Sequence, residues 1–577
     1  MMAEKSKQFI KDNLTISDEK APLIALMFLL LITFLAYRSI LYNDFVSYDD
    51  YLCIIDNPIV KDGFTKEAVT AALISQHAAN WHPLSWFSHM MDVELFGFNA
   101  GGHHGVSLLF HLANVYFLYV LLVQLTARKW ESLIVTALFA IHPLNVEAVA
   151  WATQRKTVLS TLFWLLCLIS YVKYTRDSKR ENLLLALLFE ILALLSKPQA
   201  VIIPLTMLIV DFWPLKRFKA RGWLKISVEK IPFLGLSILG GLSAIWSQGS
   251  YGAVVSTQII PFSVRIPNAI DSVFFYIGKV LYPVKLSCFY PYMGDSKAAI
   301  ATVEGIVILI TAAIAIKLKD RLPYLLMGLL WFISTLLPVI GIIHVGYAAA
   351  ADRYMYVPIV GIFILLVWGI SDAGKRLRTI NIFSKYALLP VILALFVMTQ
   401  RQVGFWKDSV SLYTHAANAV KFNYVAYSNL GQIYLKKGHL EPALMNFTEA
   451  YKIMPESPEI NYNMFITLKR LGRYTEAEKY YVSSAPVWYS GDLPVFYKQL
   501  GRLMLKNRKY KEAFNCFLKT LQIDRNDVEG FKLIATALEN MGRYDDAIAA
   551  LKKAAMLNPD DKEINVRLET LDQKKSK

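Results

Sequence analysis

The feature that most limits what this chain can become is a series of long apolar runs crowded before about residue 400. They are centred on residues 31, 116, 141, 166, 189, 205, 240, 309, 332, 362 and 392. Of the 577 residues, 55% are hydrophobic and only 18% charged, too apolar for an ordinary water-soluble globule. The surplus must face lipid. A helix needs roughly 20 apolar residues to cross the hydrocarbon core, and fewer inside a bundle. Residues 23–400 therefore read as an all-α polytopic bundle of about eleven spans. The first run, Leu23 to Leu41, follows a basic start (Lys5, Lys7, Lys11) and lacks a small-residue cleavage site. That pattern predicts an uncleaved first span behind a cytoplasmic segment, residues 1–22.

A net charge of +16 would suit a nucleic-acid partner, but the basic residues sit in short loops between apolar runs. These loops are Arg128/Lys129, Lys173 to Arg180, Lys216 to Lys230, Lys317 to Arg321 and Lys375 to Lys385. Short basic loops stay in the cytoplasm, so the charge reports orientation and no nucleic acid is expected. All five fall inside if residues 268–284, which contain Asp271, Lys279 and Pro283, lie on the outer surface as an interfacial helix. An odd number of crossings then puts the carboxyl-terminal domain outside, on the periplasmic side of an inner membrane in a prokaryote. The first outer loop, residues 41–103, is long and rich in acid, in keeping with this sidedness. The four cysteines form no close pair, so neither a zinc site nor a disulfide framework is indicated; Cys53 with Cys288 is the one pairing left open.

From Tyr424 the chain repeats with a period near 34, the length of a tetratricopeptide helical hairpin. Tyr427, Leu430, Gly431, Tyr434, Ala443, Phe447, Ala450 and Pro455 stand at the signature offsets in residues 424–457. Residues 458–493 form a degenerate copy, and 494–527 and 528–561 two further ones, with 562–577 as a tail. Such an α-solenoid buries a core by stacking, and its concave face commonly holds a peptide or protein.

Chemistry-bearing residues cluster at the outer ends of the runs. Asp49 and Asp50 lie just past the first run, where a carboxylate is partly desolvated and tunable as a base. Arg155, Lys156, Lys197 and Arg353 fall at outer ends too, where membrane-edge cations are costly. Together they suit a phosphate at the membrane surface. His82, His142, Glu147 and Tyr354 are secondary candidates. No zinc motif is present, and an Asp49/Asp50 pair alone is a weak cradle for a divalent cation.

In combination and order, Tyr48-Asp49-Asp50, Trp81-His82-Pro83, His142-Pro143 through Glu147, Gln154-Arg155-Lys156, Ser196-Lys197-Pro198, Asp211-Phe-Trp-Pro214 and Asp352-Arg353-Tyr354, followed by the repeats, resemble the transmembrane and tetratricopeptide-repeat-containing O-mannosyltransferases and their prokaryotic relatives. The resemblance implies a C-type (GT-C-like) membrane glycosyltransferase fold. It also implies a polyprenyl-phosphate sugar as donor, a protein or peptide hydroxyl as acceptor, and Asp49 as the acid of the family's motif. Pro198 stands where eukaryotic members carry an acidic residue. A phosphate leaves as a stable anion, so one carboxylate base suffices where a glycosidase needs two carboxyl groups. The expected reaction is inverting transfer, with Asp49 as base, Asp50 orienting it, the four cations on the phosphate and no required cofactor. The rival expectations are a non-enzymatic membrane-anchored scaffold and an oligosaccharide ligase or polymerase.

Overall fold

Among the described residues, six helices are long and apolar enough to cross a membrane: Ala21–Tyr42, Ala100–Thr126, Ala152–Asp177, Ile231–Gly249, Ala298–Lys317 and Tyr386–Phe405. A computed structural model describes residues 20–77, 80–250, 260–292, 298–342, 346–473, 476–477, 479–480 and 493–575. Most of the expected segment 1–22 lies outside them. The chain divides into two units, Met1–Lys421 and Phe422–Lys577.

The expected eleven crossings become six, or seven if one bent pair is a single span. The run at 141 is broken where Pro143 follows His142, and Lys129–Ala140 and Pro143–Ala150 meet at 55°. The run at 189 is a 17-residue helix, Arg180–Ser196, stopped where Lys197 turns extended before Pro198. The runs at 205 and 332 form the shorter helices Pro198–Phe212 and Pro323–Val339. The run at 362 is Ile359–Arg376, whose apolar residues are mostly buried. Apolarity in these segments serves protein interior as well as lipid. The six long helices show the same division: 72% of the Ala152–Asp177 window is buried, against 11% for Ala298–Lys317.

Small residues allow the closest approach between helices. A Cβ on Gly328 would lie 2.5 Å from the Gly361 carbonyl oxygen, and one on Gly361 equally close to that of Gly328. Phe262–Leu281, the helix expected to lie on the outer surface, is not among the six, and an antiparallel two-stranded ribbon, Tyr290–Pro291 with Ala348–Ala350, follows it.

Near the far ends of Arg155–Asp177 and Ile203–Phe212, a buried ionic cluster closes on itself. Tyr171 donates to Asp211 at 2.6 Å, Arg217 bonds Asp211 at 3.0 Å and Glu229 at 2.8 Å, and Lys230 reaches Asp211 at 2.8 Å. Two cations meet two carboxylates, and the Tyr171 ring lies 4.5 Å beneath Lys230.

The second unit is a series of helical hairpins. Tyr424–Lys436 pairs with Leu440–Ile453, Leu493–Lys506 with Tyr510–Ile523, and Val528–Asn540 with Tyr544–Leu557. Phe447 and Phe517 pack flat against Gly431 and Gly501, where a Cβ would collide with the ring. Ion pairs recur with the repeat: Lys498 to Asp527 at 3.1 Å and Lys532 to Asp561 at 3.2 Å. Pro458–Arg470 opens the degenerate copy, residues 481–492 of which lie outside the described residues. The segment expected as a tail instead forms a helix, Lys562–Lys575, that buries Ile564 and Leu571 and caps the stack.

Candidate functional site

The loop that carries Asp49 is fixed by its neighbour. Asp50 is fully buried, and its carboxylate accepts the Val46 amide at 3.0 Å, the Thr153 amide at 2.9 Å and the Thr153 hydroxyl at 2.6 Å. Burial pushes Asp50 up to about 6 against the pull of these donors. With both oxygens committed, Asp50 anchors the loop to the turn Ala152–Gln154. Its hydrogen bonds fix the loop that presents Asp49 and leave neither oxygen without a donor, which speaks against the expected cation ligand.

Asp49 then points elsewhere. Among the described residues, its half-buried carboxylate has no hydrogen bond or ion pair. Burial raises its pKa, opposed first by Lys156 and then by Arg353. Tyr48 beside it stacks on Trp151 at 4.5 Å and donates to the Cys288 carbonyl at 3.2 Å, which sets the direction of the loop. Cys53 and Cys288 are separate free thiols.

Lys156 and Arg353 act on Asp49, and their fields also reach Lys197. Lys156 stands in the first turn of Arg155–Asp177, where the helix dipole disfavours a positive charge and favours an anion. Its ammonium makes no ion pair or hydrogen bond among the described residues. Lys197 ends Arg180–Ser196 and donates to Thr157 at 3.0 Å. Burial lowers its pKa, and the fields of Lys156 and Arg353 lower it further. Arg353 binds Glu147 through its guanidinium at 2.6 Å and its amide at 2.8 Å, and lies over the Trp151 and Tyr354 rings at 5.3 and 5.0 Å. Tyr354 thus supports Arg353 from its ring face. Asp352 beside it accepts from Tyr290 at 2.9 Å and from the Ser287 amide at 3.1 Å, which holds this turn. Lys197 and Arg353 line one pocket with Thr157, Ser160 and Trp164.

Arg155 faces away from this group and is corrected as a phosphate ligand. Fully buried, it donates to Ser107 at 2.9 Å, Ser88 at 2.7 Å, Asp92 at 2.7 Å and the His103 carbonyl at 2.5 Å. His142 likewise serves structure: one ring nitrogen bonds the Val280 carbonyl at 3.0 Å, and the other accepts the Leu144 amide at 3.3 Å. Glu147 is the buried counter-ion of Arg353. His82 lines a second pocket, together with Lys156. The only metal-type grouping among the described residues, His89, Asp92 and His103, takes Arg155 as its cation and excludes Asp49.

Sequence reading missed Asp92 as the partner of Arg155, although His89 and Asp92 share a helix face three residues apart. It also missed Thr153, the donor that fixes Asp50.

Among known proteins, residues 83–246 match the family described as Dolichyl-phosphate-mannose-protein mannosyltransferase. Residues 424–457 and 533–561 match the Tetratricopeptide repeat. A protein O-mannosyl-transferase of Caenorhabditis elegans is 25% identical over 74% of this chain and 63% of its own length. Protein O-mannosyl-transferase TMTC3 of Homo sapiens is 22% identical over 91% of this chain and 67% of its own. TMTC4 of Homo sapiens is 25% identical over 63% of this chain and 57% of its own. The chain thus spans about two thirds or less of the length of these relatives. Among solved structures, a repeat protein titled MamA 41-end from Desulfovibrio magneticus RS-1 overlaps 26% of this chain and 85% of its own, at 24% identity and TM-score 0.23.

Proposed function

We propose that this chain, a multi-pass member of the transmembrane and tetratricopeptide-repeat O-mannosyltransferase-like family, moves a sugar from a polyprenyl phosphate to a hydroxyl of a protein acceptor. The observation that carries the reading is Asp49, a carboxylate without a hydrogen-bond or ion-pair partner among the described residues, beside Lys156 and Arg353, with Lys197 within the field of both cations. Lys156 and Lys197 have no carboxylate partner among the described residues, and that leaves them for an anion.

In this reading Asp49 accepts the acceptor O–H proton as the oxygen bonds the anomeric carbon. The anomeric carbon–oxygen bond to phosphate breaks, its electron pair stays on the phosphate, and the three cations hold that charge. Attack and departure on opposite faces invert the anomeric centre. Lys156 adds the positive end of its helix, and Arg353 has no partner at Nε or Nη2 among the described residues, so both suit a phosphate oxygen. No step calls on a metal. The repeats, joined directly after residue 421, bind the acceptor and raise its local concentration. In this reading the site lies on the outer or periplasmic face, opposite the basic loops.

The test is transfer from a polyprenyl-phosphate sugar to a peptide by the purified full-length protein. Asp49→Asn loses transfer while membrane insertion and helicity persist. Undiminished transfer by that variant would remove Asp49 from the base role, and absence of transfer by the wild type with any lipid-linked sugar would favour the scaffold reading.

A further inference from the structure

A cavity of about 210 Å³ lies between the helix Phe262–Leu281 and the ribbon of Tyr290–Pro291 with Ala348–Ala350. One water takes about 10–15 Å³ of such space, so an amino-acid side chain with its backbone fits. The helix contributes Asn268, Asp271 and Phe275, the ribbon side Tyr290 and Tyr292, and the end of the membrane unit Lys421. The walls are pinned. Asn268 donates from Nδ2 to the Ala349 carbonyl at 3.0 Å, Phe275 and Tyr290 meet edge to face at 5.0 Å, and the Lys279 ammonium stands 5.5 and 5.7 Å from those two rings. Pro267 has no N–H, so the Ser263 carbonyl one turn before it lacks its helical donor, and both residues line the cavity.

The lining selects among occupants. Asp271 and Lys421 carry opposite charges, which gives an anion such as phosphate no net attraction. A prenyl chain would press hydrocarbon against a carboxylate, an amide and serine hydroxyls, and desolvating each is costly. A peptide answers both demands. Its backbone N–H and C=O groups meet the polar lining, and its side chains meet the three rings.

The cavity and the base share their framework. Tyr290, in the wall, donates to Asp352 at 2.9 Å, one residue from Arg353. Cys288, two residues before Tyr290, accepts from Tyr48 at 3.2 Å, one residue from Asp49. Burial pushes the Tyr292 hydroxyl up to about 12, opposed by Arg265 and aided by Tyr354 on the other flank of Arg353.

We propose that this cavity seats the stretch of the protein acceptor next to its reactive hydroxyl. The inference rests on the transfer reading above and adds to it where the membrane unit itself holds the acceptor.

Cross-linking tests it directly. Full-length protein in nanodiscs, with Ser263→p-benzoylphenylalanine at the exposed rim, is irradiated with a pool of random octapeptides that hold a central Thr. Peptide adducts form at residue 263 and persist when Asp49→Asn is added, although transfer is then lost. Adding Tyr292→Ala instead cuts them about tenfold, the size of one lost aromatic contact. With polyprenyl-phosphate mannose as donor, Tyr292→Ala alone raises KM for the peptide pool by a similar factor and leaves kcat and donor affinity within about twofold. No peptide adduct at residue 263, adducts to the lipid donor alone, or a Tyr292→Ala effect on donor affinity in place of peptide KM would overturn the acceptor seat while leaving Asp49 as base. Peptide adducts from a wild-type background that transfers no sugar would overturn the transfer reading and leave a peptide seat standing.

Discussion

Asp211 and Asp49 are both carboxylates set among cations in one helical unit, yet their surroundings are opposite. Asp211 has Tyr171, Arg217 and Lys230 within hydrogen-bonding distance, and Glu229 balances the second cation. Every charge there is answered. Among the described residues Asp49 has no bonded partner, Lys156 has none, and Lys197 has only a hydroxyl. Burial of charge is costly in either case. The closed cluster meets that cost within the protein and pins helices together, whereas the open one leaves it unmet among the described residues, as the proposed phosphate site requires.

The comparison breaks most sharply on Asp49→Asn. Transfer falls by about 10²–10⁴-fold, the contribution of a positioned base, with the melting temperature unchanged; a rate assay beside a melting curve checks both. Asp211→Ala does the reverse: Lys230 loses its nearest partner and Arg217 keeps only Glu229, stability drops by about 3–5 kcal/mol, and activity is lost only in proportion to folded protein. A surviving fold with selectively lost transfer would place Asp211 in the chemistry.

Asp50 sharpens the contrast, being a closed carboxylate beside an open one. Asp50→Ala strips the Val46 and Thr153 donors of their acceptor and costs about 1–3 kcal/mol, measured by denaturant titration. Its raised pKa also has a sign. Unfolded, Asp50 titrates near 3.8, and folded near 6. Its contribution is therefore fully present below 3.8 and lost as pH rises through about 6, and Asp50→Asn removes that dependence.

Smaller in effect is the acid limb of the rate profile. Asp49 must be ionised to act, and burial raises its pKa from 3.8, so transfer fails on acidification earlier than an unperturbed aspartate dictates. Lys156→Ala removes the largest opposing field and moves that limb to still higher pH. Smallest of all is Lys219→Ala, which breaks an exposed pair with Asp320 at 2.9 Å and leaves melting and transfer where they were, because solvent screens both charges.

How far the sequence reached depended on whether a property was local. The repeats were legible because Gly431 and Phe447 recur as Gly501 and Phe517 at a fixed period. The membrane class was legible from composition, but the number of spans was not. A run such as Ile359–Arg376 is equally apolar whether it meets lipid or neighbouring helices. Arg155 and Lys156 illustrate the same limit within the site. They are adjacent in the chain and about 100° apart around a helix, so one turns inward to Asp92 and the other toward Asp49. Only the fold brings Asp92 to Arg155 and Thr153 to Asp50. His142 read as chemistry because it precedes a proline at a span end, and the structure uses both its nitrogens to hold that break.

One further contact joins the chain's distant parts within the membrane unit. The Lys407 carbonyl accepts the Asp44 amide at 2.8 Å, and the Ser409 hydroxyl accepts the Ser47 amide at 2.8 Å. The stretch that leaves the last long helix is thereby sewn to the stretch that presents Asp49. The loop that presents Asp49 is therefore clamped at two points, by the Thr153 turn through Asp50 and by the segment at Lys407–Ser409.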